Sequence, residues 1–195
     1  MSSFYKTPKG IGHALCKRVD LEGSVFIPYD MDGKLEEELK SNGVTVTANQ
    51  NADDLLDPVW WLRQSEKGYS YVIQTTVGLK EHSEYILKYG MQICDQGMCL
   101  LERLSFLEPV MKRRDFLLSY KLSNMVIFSP RPNYRQLGSQ KDSVTSAWFV
   151  FRKPDEWQDG TTVEYALDWS ELIDLDALAN GSAPRPNPQA AASAD

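Results

Sequence analysis

Few side chains in this 195-residue chain are of a type and spacing that could do chemistry, and most of them follow short apolar runs. Asp30, Met31, Asp32 and Gly33 follow the run at 24–29 (SVFIPY), and Asn49 and Gln50 follow the β-branched run at 44–48 (VTVTA). Asp53 and Asp54 come next, and Thr75, Thr76, Val77 and Gly78 close the run at 69–75 (YSYVIQT). Acids and a glycine after a strand make a turn into a helix, with negative charge at the helix N-terminus. Other chemistries lack their residues. Cys94 and Cys99 have four residues between them, the third cysteine is Cys16, and the two histidines are His13 and His82. That spacing suits neither a zinc knuckle nor a redox pair, so no metal is expected and the cysteines read as small buried hydrophobes of a reducing compartment. No histidine sits in a nucleophile-like turn, and no phosphate-loop signature occurs. Glu36, Glu37 and Glu38 occupy successive helical positions, so they face different directions and form no acid–base pair.

Charge is polarised along the chain. Residues 103–141 carry eight Lys/Arg, among them Lys112, Arg113, Arg114, Arg131 and Arg135, against Glu108 and Asp115. Residues 155–195 carry nine acids against Arg185 alone. The middle can attract a polyanion while the C-terminal stretch repels one. The net charge of −6 argues against a general nucleic-acid coat protein. A 42% hydrophobic content supports one core. No apolar run is long enough to span a membrane, and the N-terminus lacks the apolar core of a signal peptide, so a cytoplasmic location is expected. The last fourteen residues, 182–195, are Pro, Ala, Asn and Ser with little to bury, and read as a disordered tail on a single domain at 1–181.

The elements that must position these residues alternate. A first helix is expected after Pro8, ending over 15–20, then strand 24–29, helix 34–42 stopped by Asn42-Gly43, and strand 44–48. Strand 69–75, helix 81–90, strand 98–105 and a basic amphipathic helix at 110–121 follow. Two strands, 125–129 and 147–152, come next, with a terminal acidic helix at 168–178. Such alternation predicts an α/β fold, a mostly parallel twisted sheet with helices on both faces. The last strand pair, with no helix between, predicts an antiparallel strand at one edge. Ligands of such sheets bind at the carboxyl ends of the strands, where the residues named first all lie.

Over residues 4–153 the pieces resemble class I S-adenosylmethionine-dependent DNA methyltransferases, in particular the small N6-adenine-type enzymes of phages and mobile elements. Tyr5-Lys6-Thr7-Pro8 matches an opening aromatic-x-Thr-Pro. Residues 27–33 (IPYDMDG) stand where the family has Glu-Pro-x-x-Gly-x-Gly. Residues 102–108 (ERLSFLE) with Arg113-Arg114, residues 128–134 (FSPRPNY) and residues 147–151 (AWFVF) carry the more specific part of the likeness. The resemblance implies the Rossmann-like class I methyltransferase fold, with S-adenosylmethionine as cofactor.

It also implies a binding site. Thr7 and Pro8 would line the methionine end, with Pro28, Asp32 and Gly33 in the first loop. Asn49 or Gln50 would stand at the ribose, and Asp53 or Asp54, with Asp54 preferred, at the adenine amine. Met31 replaces the first loop glycine. The family's Asn/Asp-Pro-Pro-aromatic motif, which orients the target amine and stacks on the flipped base, has no counterpart in 72–79 (VIQTTVGL), so no catalytic residue is assigned. Gln74 or Thr76 offers one hydrogen-bond acceptor there. Residues 58–61 (PVWW) precede the strand and read as a buried aromatic pair. The expected function is a methyltransferase-fold protein without standard amino-methylation, acting by binding DNA through Lys112, Arg113, Arg114, Arg131 and Arg135, or by binding a protein partner. The alternative is an active DNA methyltransferase with divergent motifs.

Overall fold

The computed structural model describes residues 7–76, 79, 81–108, 110–132, 134, 145–156 and 160–167. Strands are β1 (Ser24–Ile27), β2 (Thr45–Ala48), β3 (Tyr69–Thr75), β4 (Cys94–Arg103), β5 (Lys121–Phe128), β6 (Ser146–Arg152) and β7 (Thr162–Ala166). Helices are α1 (Ile11–Cys16), α2 (Lys34–Ser41), α3 (Pro58–Ser65), α4 (Glu81–Tyr89) and α5 (Met111–Ser119). The strands form one sheet in the order β2-β1-β3-β4-β6-β5-β7. Every strand runs parallel except β6, which is antiparallel to both β4 and β5. The antiparallel strand is therefore present, but it lies inside the sheet. The edge is taken by β7, which pairs in parallel with β5.

Both faces of the sheet are apolar and covered by helices, as period-2 alternation requires. One face presents Val25, Ile27, Tyr71, Ile73, Cys99, Leu101, Trp148 and Val150 to α1 and α2. The other presents Phe26, Val72, Met98, Leu100, Phe149 and Phe151 to α3, α4 and α5. Trp148 anchors α1, its indole N–H donating to the Ile11 carbonyl at 2.9 Å.

Several boundaries differ from those read in the sequence. α1 spans Ile11–Cys16 and closes sooner, with turns carrying the chain to Val19. β4 begins at Cys94 because Gly97, a poor strand former, admits the Phe151 carbonyl of β6 where a Cβ would stand. β5 begins at Lys121, one residue beyond α5 and its Tyr120 cap. Two elements, α3 and β7, have no counterpart in the sequence reading. Asp57 caps α3, its carboxylate accepting from Val59 N–H at 2.8 Å, and Pro58 starts the first turn. That Asp-Pro pair is a readable helix start. α5 is less amphipathic than expected: Phe116 is buried, while Met111 and Leu118 face outward, 90% and 69% exposed. The tail at 182–195 and the acidic helix at 168–178 lie outside the described residues.

Candidate functional site at the carboxyl edge of the sheet

The loops after β1 and β2 are joined at the carboxyl edge. Asn49 N–H donates to the Ile27 carbonyl at 3.0 Å, and Asp30 N–H donates to the Asn49 carbonyl at 2.8 Å. These bonds bring together Pro28, Asp32, Gly33 and Asn49, four of the residues expected around a cofactor. Asp30 is buried and caps α2, its Oδ2 accepting from Glu36 N–H at 2.8 Å. Burial, together with the neighbouring Asp32 and Glu36 carboxylates, outweighs that bond and pushes its pKa up to about 6. Gly33 turns the chain into α2 at φ +69°, a conformation that disfavours any side chain.

Asp32 is the unsatisfied group of the loop. Both its carboxylate oxygens are buried without a hydrogen bond among the described residues, and its nearest cation, Lys34, stands 3.8 Å away. A buried carboxylate in this state can accept from an ammonium or other donor supplied from outside. The methionine end of S-adenosylmethionine carries such an ammonium, so this part of the site fits the group. The ribose end is less well provided. The Asn49 side chain closes on Asn51, accepting from its N–H at 3.2 Å and donating to its carbonyl at 2.9 Å. Gln50 is exposed beside Gly33 and remains the candidate there. Asp54 sits in the 3-10 turn Ala52–Leu56 and accepts from Asn51 Nδ2 at 2.9 Å, with its second oxygen available. Thr7 and Pro8 are buried ahead of α1.

The end of β3 is closed by its own side chains. Gln74 is fully buried. Its Oε1 accepts from Tyr29 N–H at 2.8 Å, and its Nε2 donates to the Tyr29 and Thr75 carbonyls, both at 2.9 Å. The amide thus satisfies both backbone groups of Tyr29 where β1 has stopped pairing with β3. Thr76 is also buried, and its hydroxyl donates to the Leu101 carbonyl at 3.2 Å. Sequence reasoning offered these two as acceptors for a substrate; the clamp role of Gln74 had no signal beyond a polar residue in a strand. Trp61 is buried with its indole N–H on the Leu55 carbonyl at 2.9 Å, which makes it a packing residue.

Basic residues occupy the other half of the same edge. Arg103 ends β4 and is exposed, and Arg131 follows β5, its Nε donating to Thr145 Oγ1 at 3.1 Å. Lys112, Arg113 and Arg114 form the first turn of α5, which holds no acid and has no side-chain cap. Arg113 ties this turn to the 3-10 turn Leu104–Leu107. Its Nη1 donates to the Ser105 and Phe106 carbonyls at 3.2 and 2.8 Å, and its guanidinium lies 5.1 Å from the Phe106 ring. Arg114 is exposed, and Arg135 lies outside the described residues. Among the described residues no cluster of His, Cys, Asp and Glu could hold a metal ion. Cys16, Cys94 and Cys99 are free thiols, and burial raises the pKa of each.

No protein-family profile matches the sequence, and no curated protein matches it. Solved structures do. One, assigned as a modification subunit of a type I restriction enzyme from Vibrio vulnificus, matches 94% of this chain at a TM-score of 0.58 and 9% identity. The chain spans about half of that subunit's length, 54%. Another, assigned as a class I S-adenosylmethionine-dependent methyltransferase from Listeria monocytogenes, matches 91% of this chain and 71% of its own at a TM-score of 0.50 and 13% identity. With the single reversed strand inside an otherwise parallel sheet, and helices on both faces, these likenesses establish that the chain has the Rossmann-like class I methyltransferase fold.

Proposed function

We propose that this protein binds S-adenosylmethionine at the β1 loop and DNA phosphates at the basic half of the same edge, without transferring the methyl group to a base amine. The observation that carries this reading is Gln74. Adenine methylation needs acceptors that hold the amine with its lone pair on the methyl group. The side chain standing at that place has both amide hydrogens and its oxygen engaged by Tyr29 and Thr75. When bound, S-adenosylmethionine would supply an electrophilic methyl group. Asp32 would hold its ammonium, Gly33 would admit the backbone turn, and Asp54 would accept from its adenine amine. The DNA-modification subunit among the structural neighbours favours DNA as the polyanion.

Calorimetry with S-adenosylmethionine and S-adenosylhomocysteine, up to millimolar concentration, tests the cofactor half. Both should bind, and Asp32→Asn should weaken them about tenfold, the scale of one lost charge-assisted hydrogen bond. A radiolabelled transfer assay on adenine-rich duplex DNA tests the other half and should show no incorporation. Methyl incorporation above the no-protein control would reinstate the second reading, an active DNA methyltransferase. The orphaned carboxylate of Asp32 is common to both readings.

A further inference from the structure

β1 and β3 are in register at Val25↔Tyr71 and Phe26↔Val72 and part beyond them. Pro28 has no N–H to donate to a ladder. Tyr29 is buried, so its backbone groups must still find partners. The Gln74 side chain, itself fully buried, meets both of them. Its Oε1 accepts from Tyr29 N–H at 2.8 Å, and its Nε2 donates to the Tyr29 carbonyl at 2.9 Å. The second amide hydrogen goes to the Thr75 carbonyl, also at 2.9 Å. Turning the amide over would set Nε2 against an N–H and Oε1 against two carbonyls, so its orientation is fixed. A side-chain amide here stands in for a strand pairing.

What this pairing holds is the approach to Asp32. One residue past Tyr29, Asp30 N–H donates to the Asn49 carbonyl at 2.8 Å, so the chain after β2 grips the loop from the other side. Past Asp32, Gly33 at φ +69° leads into α2, where the Asp30 carboxylate accepts from Glu36 N–H. Between these fixed points Asp32 keeps both carboxylate oxygens buried with no hydrogen bond among the described residues. A buried charge without donors is costly, and a loose loop would turn it out to water. The carboxylate stays inward because the chain is held on both sides of it, and Gln74 is the hold from β3.

We infer that Gln74 is a positioning residue for the β1 loop and, through Tyr29, aims the Asp32 carboxylate at the bound cofactor. The engagement that keeps its amide from a base amine is the one that prepares the cofactor site. That the ligand is S-adenosylmethionine rests on the reading above; the hold on the loop does not.

Gln74→Met keeps the length of the side chain and removes all three bonds. Hydrogen exchange on the full-length chain without ligand reads the hold. The Tyr29 and Asp30 amides should exchange at least about tenfold faster in the variant, with a smaller change in β4 and β6. An equal acceleration across the sheet would make Gln74 a general packing residue and overturn the inference, as would an unchanged Tyr29 amide. Calorimetry reads the aim. Gln74→Met should weaken S-adenosylmethionine and S-adenosylhomocysteine about tenfold in the parent, but less than about twofold where Asp32→Asn is already present, because groups acting through one contact are not additive. An equal loss in both backgrounds, or none in either, would overturn the link to Asp32. Gln74→Glu keeps the acceptor for Tyr29 N–H but sets an oxygen against each carbonyl, and should show the same non-additive loss. It carries the test if Gln74→Met does not fold. If no form binds while the exchange pattern holds, the cofactor reading fails and the aim with it, and the hold on the loop stands.

Discussion

Asp30 and Asp32 are two residues apart in one loop and have opposite standing. Asp30 caps α2 and is held at a raised pKa, first by burial and then by the neighbouring carboxylates. A carboxyl whose pKa is higher folded than unfolded favours the native state below its unfolded pKa and loses that contribution as pH rises through the folded value. The window here runs from about 4 to about 6. Asp30→Asn keeps the oxygen that accepts from Glu36 and removes the buried charge. The variant should be more stable than the parent at pH 7 by up to roughly 3 kcal/mol, with the difference gone by pH 4. Urea melts at the two pH values check this. The sequence made the loop legible, because acids and glycine after a strand have few other uses. It did not distinguish the helix cap from the orphan, since that depends on which carboxylate the turn at Gly33 aims inward. Gln74 was legible only as a possible acceptor; its two bonds to Tyr29 come from a residue 45 positions away.

At the scale of elements, β3 and β6 were the best-read strands, within one residue of their observed bounds. Trp148, Phe149, Val150 and Phe151 alternate between two apolar faces and leave no other assignment. β7 was not legible, because Thr162 to Val163 to Glu164 to Tyr165 is short, exposed and acidic in its surroundings, and becomes a strand only by pairing with β5. Gly97 belongs to the same lesson. Its type argued against a strand, and the tertiary contact with Phe151 overrode that preference. A Cβ at this position would stand 2.2 Å from the Phe151 carbonyl oxygen, a backbone atom that cannot turn aside. Gly97→Ala should therefore destabilise the protein by at least about 2 kcal/mol, more than its gain in strand propensity returns. Thermal melts of the variant beside a surface control such as Lys67→Ala would measure it. Gly68 or Gly160, with open space around them, would not show this steric effect.

Over the whole molecule the charge is divided, not merely acidic. The acids of the β1 loop and the bases around Arg103, Arg114 and Arg131 share one edge of the sheet, on opposite halves. A duplex held by three or four phosphate contacts should lose affinity with a log–log salt slope near about −3, far shallower than that of an extensive DNA-binding surface. Arg114→Ala should reduce the slope by about one, with little dependence on DNA sequence. Filter binding from 50 to 300 mM salt, on the order of one Debye length of change, gives both numbers. A slope near zero would assign the edge to a protein partner. Global polarity was legible from residue counts alone, whereas the placement of both charge sets on one edge required the strand order.

The reversed strand has a consequence for how the chain is made. β2, β1, β3 and β4 form one half of the sheet, β5 and β7 the other, and only β6 touches both. A growing chain that has emerged as far as residue 145 holds β4 and β5 complete but without the strand that joins them. Each then shows a full row of unpaired backbone groups along its edge. Arrival of residues 146–152 closes both rows at once, and β7 can add only to a β5 already held in place. Assembly of this sheet is thus a late, single event, and the interval before it is when the nascent protein is most open to pairing with the wrong strand.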